Sequence, residues 1–393
     1  MKNFVTLAAL LTGAAALVSC SERSQGPTAL SRDGLSVQPS AVKFWDVGAS
    51  AAWNELATSL AARRPVDAGR LYAYLSMAQF RAAEAAQRIQ PLAPTSAAIG
   101  AASAAVLTAF FPLDIVEIEA ALDAQEAAPP WPGAAHDDFA GGEAIGRAIG
   151  ARVLVFASGD RFGAANPGTP PIGAGYWVWN GGPIARGGYR ARPFFIASDS
   201  EFRPAPPPAF GSPNYLAALA EVRAISDTRT AEQLAIAVYW NVNQSPRSNA
   251  AMENLAVELI RAYHVVDAEA ARILFLMNAA AFDAIIDCFD AKYAYWFIRP
   301  PQADPAITLP IGLPPHPSYP SAHSCVSGAM TGVLAAAFPS EASRLADVAE
   351  EASLSRLYAG IHYRFDMQAG VALGRAVAAL AWGVDLDEVA VLP

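Results

Sequence analysis

Three stretches in the C-terminal part of the chain hold residue types that do chemistry on anions. In the first, Lys292 and Arg299 stand seven apart, two turns of a helix and nearly one face, with Pro300-Pro301 placed to end that helix. Lysine occurs only as Lys2, Lys43 and Lys292, so a chain that otherwise takes its cations as Arg makes an exception at this point. The flanks Tyr293, Tyr295, Trp296, Phe297 and Ile298 predict partial burial of both cations and a need for a negative partner. In the second stretch Ser321 is placed as the N-cap of a small-residue helix. The N–H groups of Ala322 and its successors then form a positive cradle beside His323. In the third, Ser355-Arg356 precedes His362 and Asp366, an i,i+4 pair in which the carboxylate holds one imidazole nitrogen and leaves the other outward as nucleophile or metal ligand. Arg356, six before His362, falls on another face of a continuous helix, and Gly360 is the break that lets both converge.

Each stretch alone has a plain reading: a solvated Lys and Arg, a simple cap with a first-turn His, a surface Arg beside a helical His–Asp pair. Together they supply two Arg, one Lys, two His, a hydroxyl and helix N–H donors, which is the donor set for a tetrahedral oxyanion of high charge. The chain has no HExxH, GxSxG or Walker loop and no carboxylate-rich divalent-metal pattern. With 27 basic against 36 acidic residues, a net charge of −9 and no run of five basic residues, nucleic acid is excluded as a partner.

Lys292-x6-Arg299-Pro300, Pro320-Ser321-Ala322-His323 and Ser355-Arg356-x5-His362-x3-Asp366 resemble the three-part signature of the type 2 phosphatidic acid phosphatase and vanadium haloperoxidase superfamily. The wider stretch 202–382 resembles its bacterial vanadium-haloperoxidase-like branch, through Phe202-Arg203-Pro204, Ala237-Val238-Tyr239-Trp240 and Asp290-Ala291-Lys292-Tyr293. The resemblance implies that Lys292, Arg299, Ser321, the N–H of Ala322 and Arg356 hold the oxyanion. It implies His323 as acid/base, His362 as the covalent partner of vanadium or phosphorus, and Asp366 as its orienting group. The family usually has Gly at position 322; Ala keeps the donor, and strains the cradle if a positive φ is needed there.

Two chemistries share such a pocket, because vanadate and phosphate share charge and shape. One is halide oxidation by hydrogen peroxide with vanadate on His362 as cofactor, Lys292 polarising the bound peroxide. The other is hydrolysis of a phosphomonoester through a phosphohistidine, with no cofactor. Length, the Pro/Gly-rich excursion described next, and His316 favour the peroxidase; His316 lies seven before His323, where algal bromoperoxidases carry His, and so stands as a possible halide-site residue. A proline-locked surface position is the other reading of His316. A lipid-anchored binding protein with a dead site is a third possibility, opposed by the intact set Lys292, His323 and His362.

The elements that must position these residues read as all-α, helical bundles of the haloperoxidase and acid phosphatase type. With 53% hydrophobic and 16% charged residues, the 393-residue chain can bury a large core. One α-helical domain is expected over 46–393, with its active-site motifs within 268–382. Residues 46–158 are Ala-rich with helical spacing, as in Leu71, Leu75, Ala78 and Ala82. Residues 159–213 are dominated by Pro, Gly and aromatics and predict a long irregular excursion. Helical spacing returns after 214, with Met252, Leu255, Ala256, Leu259 and Tyr263 on one face and Glu253, Glu258 and Arg261 elsewhere. Further helices are expected near 268–297, 323–338, 342–358 and 365–382.

Residues 1–20 have the layout of a bacterial lipoprotein signal peptide, with Leu17-Val18-Ser19-Cys20 resembling a lipobox, so Cys20 is the expected lipidation site. Residues 21–45 suit a flexible tether. The expected address is the cell envelope, with the membrane reached through the lipid anchor alone. Of the three cysteines, Cys288 and Cys325 read as buried thiols, and a bridge between them stays open.

Overall fold

The computed structural model describes residues 48–89, 95–128, 139–241 and 246–386. The expected signal peptide, the tether and Cys20 lie outside the described residues.

Thirteen α-helices form the described body: α1 (Ala49–Arg63), α2 (Ala68–Ile89), α3 (Thr95–Phe110), α4 (Ile115–Ala127), α5 (Phe139–Ser158), α6 (Pro213–Thr228), α7 (Ala231–Tyr239), α8 (Pro246–Ala262), α9 (Asp267–Tyr295), α10 (Pro300–Ala303), α11 (Ala322–Ala337), α12 (Ala342–Tyr358) and α13 (Arg364–Gly383). Among the described residues no strand forms; a single antiparallel bridge joins Tyr176 to Phe297. No described helix is long and apolar enough to cross a membrane.

The 29-residue α9 is the central post. It is buried on nearly every side, because α2, α11 and α13 pack around it. Leu71, Leu75, Ala78 and Ala82 of α2 are all buried, as their spacing predicts. On α8, Met252, Leu255, Ala256 and Leu259 are buried, but so is Glu253, which the periodicity assigned to the other face. Burial raises its carboxyl to about 8, so it sits in the core as the neutral acid.

Small residues set the closest crossing. A Cβ on Gly370 of α13 would lie 2.7 Å from the Ser321 carbonyl oxygen, so only glycine lets α13 approach the start of α11. There the Ser321 N–H donates to the Asp366 carbonyl at 2.9 Å, tying two of the three sequence stretches together.

Residues 159–212 contain no helix, as expected, and a row of aspartates on α9 fixes them. Asp283 accepts three backbone N–H bonds, from Phe194, Phe195 and Ile196, at 2.6–3.1 Å. One turn on, Asp287 accepts from the Phe202 N–H at 2.7 Å, and Asp290 pairs with Arg203 at 2.5 Å. The excursion then lies on the site wall: Trp177 N–H donates to the Trp296 carbonyl at 2.7 Å and Ala185 N–H to the Pro315 carbonyl at 3.0 Å.

Candidate active site

The helix α9 ends at Tyr295, earlier than the run from Lys292 to Arg299 predicted, and Trp296 turns left-handed (φ 50°) as its C-cap. Arg299 is therefore extended and caps the short helix α10, in which Pro300 is the first residue. This corrects two expectations: the two cations do not share a helix face, and the proline pair begins a helix instead of ending one, since a proline at the first position lacks only an N–H that would have no partner. Both cations are nonetheless fully buried, beyond the partial burial expected.

Lys292 reaches across to the turn before α11 and donates to the carbonyls of Ser318 (2.8 Å), Pro317 (3.1 Å) and Pro320. Its three protons thus brace the turn that delivers Ser321, and contact with a bound anion requires exchange of one carbonyl. Tyr319–Pro320 in that turn is cis. Ser321 caps α11 as expected, its hydroxyl accepting from the Ser324 N–H at 3.5 Å. Ala322 is the first helical residue and is not among the positive-φ positions, so the anticipated strain is absent.

In the third stretch α12 stops through Gly360 (φ 75°). Gly360 N–H bonds to the Leu357 carbonyl at 2.9 Å and Ile361 N–H to the Arg356 carbonyl at 3.3 Å, a Schellman closure. His362 lies in the following loop and Asp366 in the first turn of α13, so the pair is formed across a helix start and not along a helix as the spacing suggested. The carboxylate does double duty: Asp366 Oδ2 accepts from the Tyr363 N–H at 3.2 Å and faces His362 Nδ1 at 2.8 Å. Ser318, which the sequence reading passed over, donates to the same oxygen at 2.5 Å. Only its position between prolines ahead of Ser321 could have drawn attention to it.

The three stretches converge. Arg299 donates through Nη1 to the Ile361 carbonyl at 2.7 Å and faces His362 Nε2 at 3.4 Å. Because Arg can only donate, Nε2 holds a lone pair and Nδ1 the proton shared with Asp366. Nη2 of Arg299 faces His316 Nδ1 at 3.1 Å, and the same nitrogen lies 3.2 Å from the Pro317 carbonyl, so His316 is a wall of the site, not a remote surface residue. Arg356 donates to Ser355 Oγ at 2.8 Å and to the Ala237 carbonyl at 2.9 Å. His323 Nε2 donates to the Trp240 carbonyl at 2.8 Å. Ala322 and His323 are only half-buried, so the cup opens on their side.

Electrostatics follow from three cations in a dry place. Burial lowers Lys292 to about 8, Arg299 to about 10 and Arg356 to about 9, with Arg299 adding repulsion on the other two. Burial, then the charge of Arg356, brings His323 down to about 3. Burial and the charges of Arg299 and Lys292 hold His362 and His316 well below their ordinary value, so all three imidazoles are neutral. Burial lifts Asp366 to about 6. Among the described residues none of the three cations forms an ion pair with a carboxylate; their hydrogen bonds go to carbonyl, hydroxyl and imidazole atoms. The Asp366 carboxylate acts on Lys292 and Arg299 through its charge, but one negative charge among three buried cations leaves a costly excess, and a tetrahedral oxyanion is the group that offsets it. The donor set fits vanadate or phosphate on those grounds. Cys288 and Cys325 are free and buried just behind, with the Cys288 thiol 3.8 Å from the Pro320 carbonyl.

Residues 271–389 match the PAP2 superfamily model. A bacterial vanadium-dependent iodoperoxidase shares the fold at a TM-score of 0.69 and 21% identity, covering 88% of this chain and 97% of its own. A bacterial vanadium-dependent chloroperoxidase superposes in its apo form at 0.63 (13% identity, 81% and 94% covered) and in its holo form at 0.61 (12% identity, 88% and 93% covered). None of the curated protein sequences matches the chain. The fold is thus one shared with the bacterial vanadium haloperoxidases.

Proposed function

We propose that the protein is a vanadium-dependent haloperoxidase that oxidises halide with hydrogen peroxide. The carrying observation is the buried cup of Lys292, Arg299 and Arg356, whose positive charge exceeds that of the neighbouring Asp366 carboxylate, closed on one side by a histidine whose Nε2 lone pair faces it. A fold shared over nearly the full length of solved haloperoxidases supports the peroxidase over a minimal phosphatase. In this reading Arg299, Arg356, the Ser321 hydroxyl and the Ala322 N–H bind the oxygens of vanadate. Lys292 holds the turn beneath them and supplies positive charge. His362 Nε2 is the ligand to vanadium, oriented by Asp366 and Ser318. When bound, vanadate supplies the Lewis acidity that activates peroxide toward halide. His323, neutral at the open side of the cup, takes a proton from the incoming peroxide and returns one to the leaving water. His316, held by Arg299, is the residue proposed to face the halide.

Hydrolysis of a phosphomonoester is the second reading, favoured by the PAP2 match and by the unprotonated Nε2 of His362, which attacks phosphorus once it gives up its long 3.4 Å contact with Arg299. Phosphate-free protein, reconstituted with vanadate, is to be assayed for bromination and iodination with peroxide, and in parallel for hydrolysis of an aryl phosphate. Halogenation that depends on vanadate is the expected result. Strong hydrolysis inhibited by vanadate, without halogenation, establishes the phosphatase instead, and binding of vanadate without either turnover points to a binding protein. We further propose export and lipidation at Cys20, supported by its lipobox tetrad. Cys20→Ala is expected to abolish incorporation of labelled palmitate and release the protein from the membrane fraction.

A further inference from the structure

The short helix α7 ends beside the cup, where its last carbonyls have no partners within the helix. Two of the oxygens there are taken by site residues: the Ala237 carbonyl accepts from Arg356, and the Trp240 carbonyl accepts from His323 Nε2–H at 2.8 Å. One helix end thus fixes an oxyanion-binding cation and the acid/base group together, and its negative dipole end faces both.

Trp240 is itself anchored. It is nearly fully buried, its N–H bonds to the Ile236 carbonyl at 3.2 Å, and its indole Nε1–H donates to Glu351 Oε1 at 3.0 Å. Glu351 lies on α12, five residues before Arg356. So α12 supplies the anion-binding Arg356 and also a carboxylate whose described role is to hold the residue that holds His323. Neither Trp240 nor Glu351 touches the cup in the way a ligand-binding group does.

We infer that Trp240 and Glu351 are positioning residues for His323: the Glu351 carboxylate fixes the indole, the fixed Trp240 presents its carbonyl, and that carbonyl locks His323 with the proton on Nε2 and the lone pair of Nδ1 available to the site. This rests on the acid/base role proposed above for His323, and the lock itself is a property of the imidazole that exists whether or not the enzyme turns over. Loss of the tether frees the ring to exchange tautomers, which removes the acceptor from the site for part of the time and slows proton transfer without disturbing the cationic cup.

The test uses the full chain labelled with 15N-histidine, in which five histidines give a resolvable spectrum and His323→Asn assigns the relevant one. Wild type is expected to show the single Nε2–H tautomer for His323. Trp240→Phe, which keeps the ring bulk but loses the indole donor, and Glu351→Ala are each expected to show mixed tautomers. Both should lose about tenfold in kcat, with KM and vanadate dissociation changed less than about twofold. Glu351→Gln retains an acceptor oxygen for the indole and is expected to restore the single tautomer and wild-type kcat. A single Nε2–H tautomer in Trp240→Phe, or Glu351→Gln behaving like Glu351→Ala, overturns the inference. If Trp240→Phe fails to fold, the Glu351 pair decides by the same readout. If wild type shows neither halogenation nor hydrolysis, the functional reading fails while the tautomer measurement still decides the positioning.

Discussion

The residue that most depends on its neighbours is His362. Its Nδ1–H is directed at an Asp366 oxygen that also serves Ser318 and the Tyr363 N–H, so three donors converge on one acceptor atom and the ring has a single orientation. Removing Ser318 takes away one donor and leaves the imidazole free to share the carboxylate differently. Ser318→Ala is expected to weaken vanadate binding about tenfold, measured by equilibrium dialysis, while His362→Ala abolishes both binding and turnover. Position 322 gives the opposite expectation. Because Ala322 is an ordinary helical residue, Ala322→Gly relieves nothing and should leave vanadate affinity within about twofold of wild type; a large gain in affinity would falsify the unstrained cradle.

At the scale of elements, the break between α12 and α13 decides whether Arg356 and His362 meet. Gly360 adopts φ 75°, and a Cβ there would lie 3.0 Å from Ile307 Cγ2, so a side chain brings both backbone strain and a clash. Gly360→Ala is expected to destabilise by about 1–2 kcal/mol and to lower oxyanion affinity, read by denaturant melts and by dialysis. The excursion 159–212 depends in the same way on Asp283, whose loss strands three backbone N–H donors in the core. Asp283→Ala is expected to cost about 2–4 kcal/mol and to make the excursion sensitive to limited proteolysis before the helices unfold.

The whole molecule carries an electrostatic signature. Burial raises Glu253 to about 8 and Asp283 and Asp287 to about 7, above their unfolded values, so the folded state binds more protons than the unfolded chain from about pH 4 up to these values. Stability of the anion-free protein therefore falls as pH rises from 6.5 to 8. Below 6.5 the three lowered histidines act oppositely, because the unfolded chain then takes up protons that the folded site refuses. The five raised carboxylates Glu253, Asp283, Asp287, Asp267 and Asp366 outweigh these three histidines, so a continuous fall in Tm from about pH 5 to 8 is expected. Inorganic phosphate at a hundred times its Kd should add about 2.7 kcal/mol, a rise of roughly 5 °C in Tm. The rise should shrink at pH 10, where Lys292, held at about 8, has lost its charge. A Tm indifferent to phosphate at pH 7 would mean that the buried cations are offset within the protein.

Local features of the candidate site were legible in the chain because they reside in residue types: Ser321 as a cap, Gly360 as a break and the contact between His362 and Asp366 all hold in the structure. The helical class and the irregular character of 159–213 were legible too, since hydrophobic period and Pro/Gly content are local properties. Local pattern misassigned what depends on long-range packing. Arg299 leaves the helix because α9 must turn at Trp296 to lay 297–299 against the excursion, and Glu253 is buried by helices distant in sequence. Ser318, Trp240 and Glu351 join the site through bonds spanning 44 to 111 residues, and a hydrogen bond between remote segments leaves no periodic trace in either one. Composition and spacing determine which groups can bind an oxyanion; only the packed helices decide which of them face one another.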